Sequence, residues 1–401
     1  MGKPRIRFKG YTDEWEERKF GEIFEEYSEK DHPELPTLTI IQGGGTVRRD
    51  ESDRNILYDK DKIEGYKLVR KDDFILHLRS FEGGLEKATC DGVISPAYHI
   101  FHGKESDSRF YYAFFRSYNF IKRKLVPHIY GIRDGKSIDV KGMKSIIIPY
   151  PEFLEQKKIG DYIDAVDQFI TLHQRKCEEI KTLKKYMLQK MFPQKGKNKP
   201  EIRFQGFTDA WEQRKVSDIA TITAGGTPST VEIEYWQPKE IPWLSSGEIH
   251  KKYVMETDNM ISKKGLENSS AKWVEKGSVL IALAGQGKTR GTAAITKIRL
   301  TTNQSIAALK FGDNVYPDYA FQNLDSRYDE LRNVSSGDGT RGGLNKQLLS
   351  DLEMMIPEYE EQKKLGDYFS NLDTLITLHQ RKCDELKKVK KFMLQNMFPQ
   401  D

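Results

Sequence analysis

An α+β fold is predicted for this 401-residue chain: two mixed α/β domains separated by two long antiparallel helices, which form an intramolecular coiled coil of approximate twofold symmetry. Three observations predict it. Two blocks of sequence occur twice, the longer block carries an apolar heptad, and the stretches between blocks read as short apolar strands joined by polar, glycine-rich loops. The expected divisions are a first domain over 1–150, a first helix over 151–195, a second domain over 196–356 and a second helix over 357–401.

The repeats justify the layout. Pro4 to Ile23 and Pro200 to Ile219 agree at 12 of 20 positions without a gap, and Glu155 to Gln194 agrees with Glu361 to Gln400 at 27 of 40. The second match includes an unbroken octet, Ile170 to Cys177 against Ile376 to Cys383. Residues 21–150 and 217–356 show little similarity to each other, so each half is a shared frame around a different insert. Lys195-Gly196-Lys197-Asn198-Lys199-Pro200 is a short polar linker between the halves.

The long block reads as a helix. Ile159, Val166, His173, Ile180 and Met187 recur every seven residues, with Tyr162, Phe169 and Leu183 three positions later. The second copy gives Leu365, Leu372, His379, Leu386 and Met393, flanked by Tyr368, Leu375 and Val389. Proline stops each run at Phe192-Pro193 and Phe398-Pro399. Each helix is thus roughly 36 residues, on the order of 55 Å long. The expected partner for each apolar seam is the duplicate helix, packed antiparallel.

Composition bounds the function. Apolar residues make up 37% and charged residues 31%, which fits folded domains joined by solvated helices. A net charge of only +5 means that any nucleic-acid surface comes from local clustering. Three cysteines, Cys90, Cys177 and Cys383, and an amino terminus without an apolar stretch point to the cytoplasm. No apolar run approaches the roughly 18 residues of a membrane span, so no membrane association is expected.

Catalytic signatures are missing. His173 with Cys177, and His379 with Cys383, have i, i+4 spacing that a metal site could use, but a polar residue at a seam commonly sets register, and no metal is expected. Val279 to Thr289 imitates a phosphate-binding loop yet has Ala282 where the first glycine belongs. Pro317-Asp318 with Glu361-Gln362-Lys363 suggests a nuclease only until the second copy is read, because Glu155-Gln156-Lys157 has no such Pro-Asp partner; helix-opening charge explains it better. There is no Pro-Pro-aromatic methylation motif, no Gly-x-Ser-x-Gly elbow and no His-Glu-x-x-His helix. The chain reads as a binder, with no catalytic residue.

Both inserts present the same order of parts. Phe74 to Leu78 leads into a polar loop, Arg79 to Lys87, then a strand through Val93 to Tyr98; Val279 to Ala284 leads into Gly285 to Gly291, then Thr302 to Ile306. Arg, Gln and Asn suit base edges, while Lys, Ser, Thr and glycine amides suit phosphates. The candidate DNA contacts are Arg48, Arg49, Arg79, Ser80, Lys87, Arg133 and Lys136 in the first insert. In the second they are Thr227, Gln286, Lys288, Thr289, Arg290, Asn303, Gln304 and Arg341. Trp243, Phe110, Tyr111, Tyr112 and Tyr319 are expected in the core.

The layout, with Ile148-Pro149 and Glu155 to Ile159 before one helix and Ile356-Pro357 and Glu361 to Leu365 before the other, resembles the specificity subunit of Type I restriction-modification enzymes. Gly225-Gly226-Thr227-Pro228, Tyr235-Trp236, Ile241-Pro242-Trp243 and Thr302-Asn303-Gln304 add to the resemblance. It implies two target recognition domains, each reading half of a split, asymmetric site in double-stranded DNA. It also implies helices that set the gap and dock two methyltransferase subunits, to which restriction subunits are added. S-adenosylmethionine, ATP and Mg would then belong to the partner subunits, and this chain would hold no cofactor. The competing readings are a coiled-coil scaffold without DNA specificity and a stand-alone nucleic-acid enzyme.

Overall fold

The computed structural model describes residues 3–51, 65–76, 84–130, 137–285, 288–333 and 343–399. The chain divides into two compact units, Met1–Gln174 with Gln380–Asp401, and Arg175–His379. Each unit therefore holds one insert and half of each long helix. Those helices run over Phe153–Met191 and Tyr359–Asn396, 39 and 38 residues. Among the described residues no helix is long and apolar enough to cross a membrane.

The first unit contains β1 (Glu16–Lys19), β2 (Phe24–Tyr27), β3 (Leu38–Ile41), β4 (Gly45–Arg48), β5 (Lys67–Val69), β6 (Phe74–Leu76), β7 (Leu85–Lys87), β8 (Gly92–Ile94), β9 (His99–Gly103), helix α1 (Ser108–Phe115) and β10 (Ile147–Tyr150). Four strands form an antiparallel sheet in the order β2-β9-β6-β7. Asp107 opens α1 by accepting from the Arg109 and Phe110 amides. That helix lays Phe110, Tyr111, Phe114 and Phe115 on Phe20, Phe24, Phe74 and Phe101, an aromatic core of mainly edge-to-face contacts. Phe398, just beyond the second long helix, closes this core against Trp15, Phe110 and Phe114.

The second unit contains β11 (Glu212–Lys215), β12 (Ala220–Ala224), β13 (Ile241–Leu244), β14 (Tyr253–Val254), β15 (Asn259–Ile261), β16 (Trp273–Val274), β17 (Val279–Ala282), β18 (Ala293–Thr296), β19 (Leu300–Thr302), β20 (Ile306–Phe311), helix α2 (Pro317–Ser326) and β21 (Glu353–Ile356). Its main sheet runs β12-β20-β17-β18-β14, and a second sheet runs β15-β13-β19-β16. The first four strands of the main sheet repeat the order found in the first unit, with the same antiparallel pairing. Phe192 closes this unit against Trp211, Tyr319 and Phe369. Of the aromatics expected in the core, Phe110, Tyr111 and Tyr319 are fully buried and Trp243 nearly so, while Tyr112 is only half-buried at the core's edge.

The repeated Glu-Gln pair at each helix start is a structural anchor. Glu155, fully buried, accepts both Nε and Nη2 of Arg7 at 2.6 and 2.8 Å, plus the Trp15 indole at 2.9 Å. Glu361 takes the same fork from Arg203 at 2.6 and 2.8 Å. The neighbouring Gln156 accepts from the Asp107 amide, and Gln362 from the Tyr316 amide, so each long helix is tied to the start of α1 or α2. A bidentate Arg–carboxylate pair holds direction as well as distance, and this role adds to the helix-opening charge that Glu155 and Glu361 supply in the first turn of each long helix.

The apolar seam is shifted from its expected position. Ile159, Val166, Leu365 and Leu372 are buried and His173, Ile180, His379 and Leu386 half-buried, but Phe169, Leu183, Leu375 and Val389 are 55, 44, 42 and 43% exposed. The companion seam position lies four residues on, not three: Ile163, Ile170, Cys177, Lys184 and Met191 in one helix, Phe369, Ile376, Cys383, Lys390 and Met397 in the other. Alternating steps of four and three average 3.5 residues, which keeps one face inward; steps of three and four from the other start point outward. Within the first unit Val166 and Ile170 pack on Cys383, and Asp167 accepts from Lys390 at 2.6 and 2.7 Å. Within the second, Cys177 approaches the Ile376 carbonyl and Lys184 donates to Asp373 at 2.6 Å.

Candidate nucleic-acid interface

In the second unit the candidate residues converge on one end of the main sheet. Ala224 pairs with Ala307, Ala282 with Ile306, and Ile281 with Ala293, so the segments after β12, before β20 and between β17 and β18 leave the sheet side by side. Their backbones are tied together. Gly226 N–H donates to the Thr302 carbonyl at 2.8 Å, Leu283 N–H to the Ser305 carbonyl at 2.8 Å, and the Trp243 indole to the Gly226 carbonyl at 3.0 Å. Both glycines of Gly225-Gly226 are required by contact: a Cβ on Gly225 would lie 2.2 Å from the Thr302 carbonyl, and one on Gly226 2.4 Å from the Ser270 backbone.

This packing brings the Thr227 hydroxyl to the Gln304 amide oxygen at 2.6 Å and leaves Gln304 exposed. Asn303 is held by its own turn, accepting from the Ser305 amide. Lys288 is exposed, and Thr289 and Arg290 half-buried, on the same edge. Gln286 and Arg341 lie outside the described residues.

The first unit has the equivalent sheet end, where Tyr27 faces Ile100 and Leu76 faces both His99 and Leu85. Arg79, Ser80, Arg133 and Lys136 fall outside the described residues. Lys87 is committed to Asp72 at 3.0 Å, Arg48 is exposed on β4, and Arg49 donates to the Thr39 hydroxyl at 3.4 Å. Lys87, opposite Phe74, and Arg48, opposite Leu38, thus lie at the far ends of β7 and of the β3–β4 hairpin and are not gathered at this sheet end, whereas the hairpin tip is held by buried Glu86, which also accepts from the Tyr112 hydroxyl at 2.7 Å. Burial, reinforced by the Glu86 carboxylate, pushes the Tyr112 hydroxyl well above its ordinary range, so it remains a donor.

A cleft of about 1640 Å³ in the second unit is lined by Lys184, Lys251 and Lys252, but these are engaged by Asp373, Glu248 and Asp325. Among the described residues no group of three or more His, Cys, Asp or Glu is placed to hold a metal.

A feature that the heptad reading passed over is a second apolar stripe. Phe169 and Leu172 with Val389 and Phe392 in the first unit, and Leu183 and Tyr186 with Leu375 and Leu378 in the second, are 40–58% exposed. They recur at the same places of the repeat. The signal was present in the sequence once the seam is assigned to four-three steps, because these residues are then left over.

A family model described as "Type I restriction modification DNA specificity domain" matches residues 87–182 and 208–388. The chain belongs to this family. Among curated members, it is 28% identical over 193 residues to the Type I restriction enzyme MjaIX specificity subunit of Methanocaldococcus jannaschii, covering 47% of this chain and 44% of that one. It is 25% identical over 166 residues to the EcoR124I/EcoR124II specificity subunit of Escherichia coli, covering 41% of each. The matched region thus spans less than half the length of these relatives. The fold is similar to the crystal structure of the Type I S subunit from M. genitalium, with a TM-score of 0.67 and 14% identity over the whole of both chains.

Proposed function

We propose that this family member is the non-catalytic DNA-reading subunit of a Type I restriction-modification complex. Its two target recognition domains, 1–150 and 196–356, read two unlike halves of a split site in double-stranded DNA. The long helices, 151–195 and 357–401, act as an antiparallel coiled coil with approximate twofold symmetry that fixes the gap. Two methyltransferase subunits dock on them, and restriction subunits join the assembled complex. S-adenosylmethionine, ATP and Mg belong to those partners.

The observation that carries this reading is a shared sheet end with divergent loops. Both inserts use one strand order, β2-β9-β6-β7 and β12-β20-β17-β18, while the residues at its rim differ. A constant platform with variable polar tips is what sequence reading needs, because bases are distinguished by side chains held at fixed positions. The spacer role is supported by matched pairs one repeat apart: Asp167 with Lys390, and Lys184 with Asp373. Docking is supported by the second apolar stripe, which occurs once per unit in the same chemistry. Mapping methylated bases in cells with and without this chain tests the reading. A two-part motif that vanishes with the chain is expected; an unchanged methylation pattern would overturn it.

A further inference from the structure

The β3–β4 hairpin ends in Ile41-Gln42-Gly43-Gly44, all four exposed, with Ile41 facing Gly45 across the turn. A glycine tip is ordinarily loose, but this one is fastened from beneath. Glu86, on β7 and 3% exposed, accepts from the Gly43 amide at 2.8 Å and the Gly45 amide at 3.2 Å, from Tyr112 at 2.7 Å and from the Arg116 guanidinium. Gly43 and Gly45 have φ of 81° and 73°, the left-handed region that side chains avoid. A Cβ on Gly43 would meet Arg116 at 2.9 Å, and one on Gly45 the Lys87 carbonyl at 2.6 Å. A buried carboxylate with four donors resists displacement, since any move leaves a charge unsatisfied.

The hairpin also points somewhere definite. Leu38 packs on Gly92, Thr46 bonds Thr89 at 3.0 Å, Gly45 lies on Lys87 and Gly43 on Glu86, so the tip advances along the chain toward Leu85. Leu85 lies at the sheet end that corresponds to the Thr227 and Gln304 edge of the other unit. Only Ile41 and Gln42 carry side chains at the tip. Among the described residues the Gln42 amide has no hydrogen-bond partner, and a glutamine amide matches the N6 and N7 edge of adenine.

Resting on the DNA-reading function above, we propose that this hairpin tip enters the major groove at one half-site, with Gln42 pairing to an adenine and Glu86 acting as its positioning residue. The tip is a specificity determinant of the first unit alone.

The test uses the assembled methyltransferase complex on a library of randomised duplex sites, read by sequencing of methylated DNA. Gln42→Ala removes an exposed side chain and is expected to relax one base pair of one half-site, lowering discrimination there about 10- to 100-fold. The other half-site and the gap stay as they were. Glu86→Gln is expected to relax the same base pair, and the double variant to be no worse there than Gln42→Ala. A role in folding alone would lower methylation at every position without relaxing any. An unaltered motif in Gln42→Ala, or relaxation in both halves, overturns the proposal. A native complex with no sequence preference at all would instead overturn the DNA-reading function on which it rests.

Discussion

Adding one heptad to each long helix tests the spacer directly. The places to add it are between Gln174 and Arg175 and between His379 and Gln380, where the compact units divide. An insertion there leaves intact the Asp167–Lys390, Lys184–Asp373 and Cys177–Ile376 contacts, each of which lies inside one unit. Seven residues lengthen a helix by about 10.5 Å and turn it roughly 20° short of two full turns, so the four-three seam still faces its partner. At about 3.4 Å per base pair the added length equals about three base pairs. Duplex twist over that distance is close to a third of a turn, so the best integer compromise is two or three. The assay is the methylated motif of cells carrying the lengthened chain with its methyltransferase subunits. Both half-sites should be unchanged and the gap wider by two or three; a well-assembled complex with the original gap would refute the spacer role.

Other predictions concern single side chains. Asp373→Ala strands the buried Lys184 and removes one acceptor of Tyr253 and of Gln322, and should cost about 3–5 kcal/mol in urea unfolding. Its counterpart Asp167→Ala, whose pair with Lys390 is partly solvated, should cost less than about 1 kcal/mol. Burial by itself would raise the Asp373 carboxyl, but the Lys184 ammonium and the Gln322 amide hold it below the usual carboxylate range. The stability it contributes is therefore complete above the ordinary carboxylate pKa of about 4 and is lost as pH falls through the depressed value, a loss that Asp373→Asn should abolish in acid titrations. Phe169→Glu with Val389→Glu, both on the first unit's exposed stripe, should yield complexes holding one methyltransferase subunit instead of two by light scattering, with unchanged melting of the chain itself. Gln304→Ala should relax only the half-site read by the second unit, by about tenfold or more, in the same methylation assay.

The architecture was legible because duplication is a comparison that one sequence can make with itself. Repeat boundaries and the helix limits at Phe192-Pro193 and Phe398-Pro399 follow from the chain alone, but the strand-loop-strand order does so only in part: Leu85–Lys87 of the expected loop is strand β7, and Thr302–Ile306 straddles the turn between β19 and β20, which lie in different sheets. What misled the seam reading was Phe169 and Leu183: a heptad offers two apolar positions three or four apart, and apolarity alone does not say which is buried when a second stripe is present. Lys184, polar yet in the seam, could be recognised only with Asp373 and Tyr253 around it. Glu86 is not legible in the sequence because a carboxylate beside a glycine-rich loop looks like surface charge until four donors from two separate segments, the β3–β4 hairpin and helix α1, meet on it.

The closing residues of the two cores have an evolutionary consequence. Met397 and Phe398 complete one unit and Met191 and Phe192 the other, and they are the same two residues at the same place in the repeat. Each insert is therefore closed by the same Met-Phe pair of the repeat. Recombination within the repeated helix blocks, above all their shared octet, could exchange 21–150 or 217–356 for a foreign insert without disturbing that closing pair. New recognition sequences would then arise by shuffling whole readers, with the scaffold inherited unchanged.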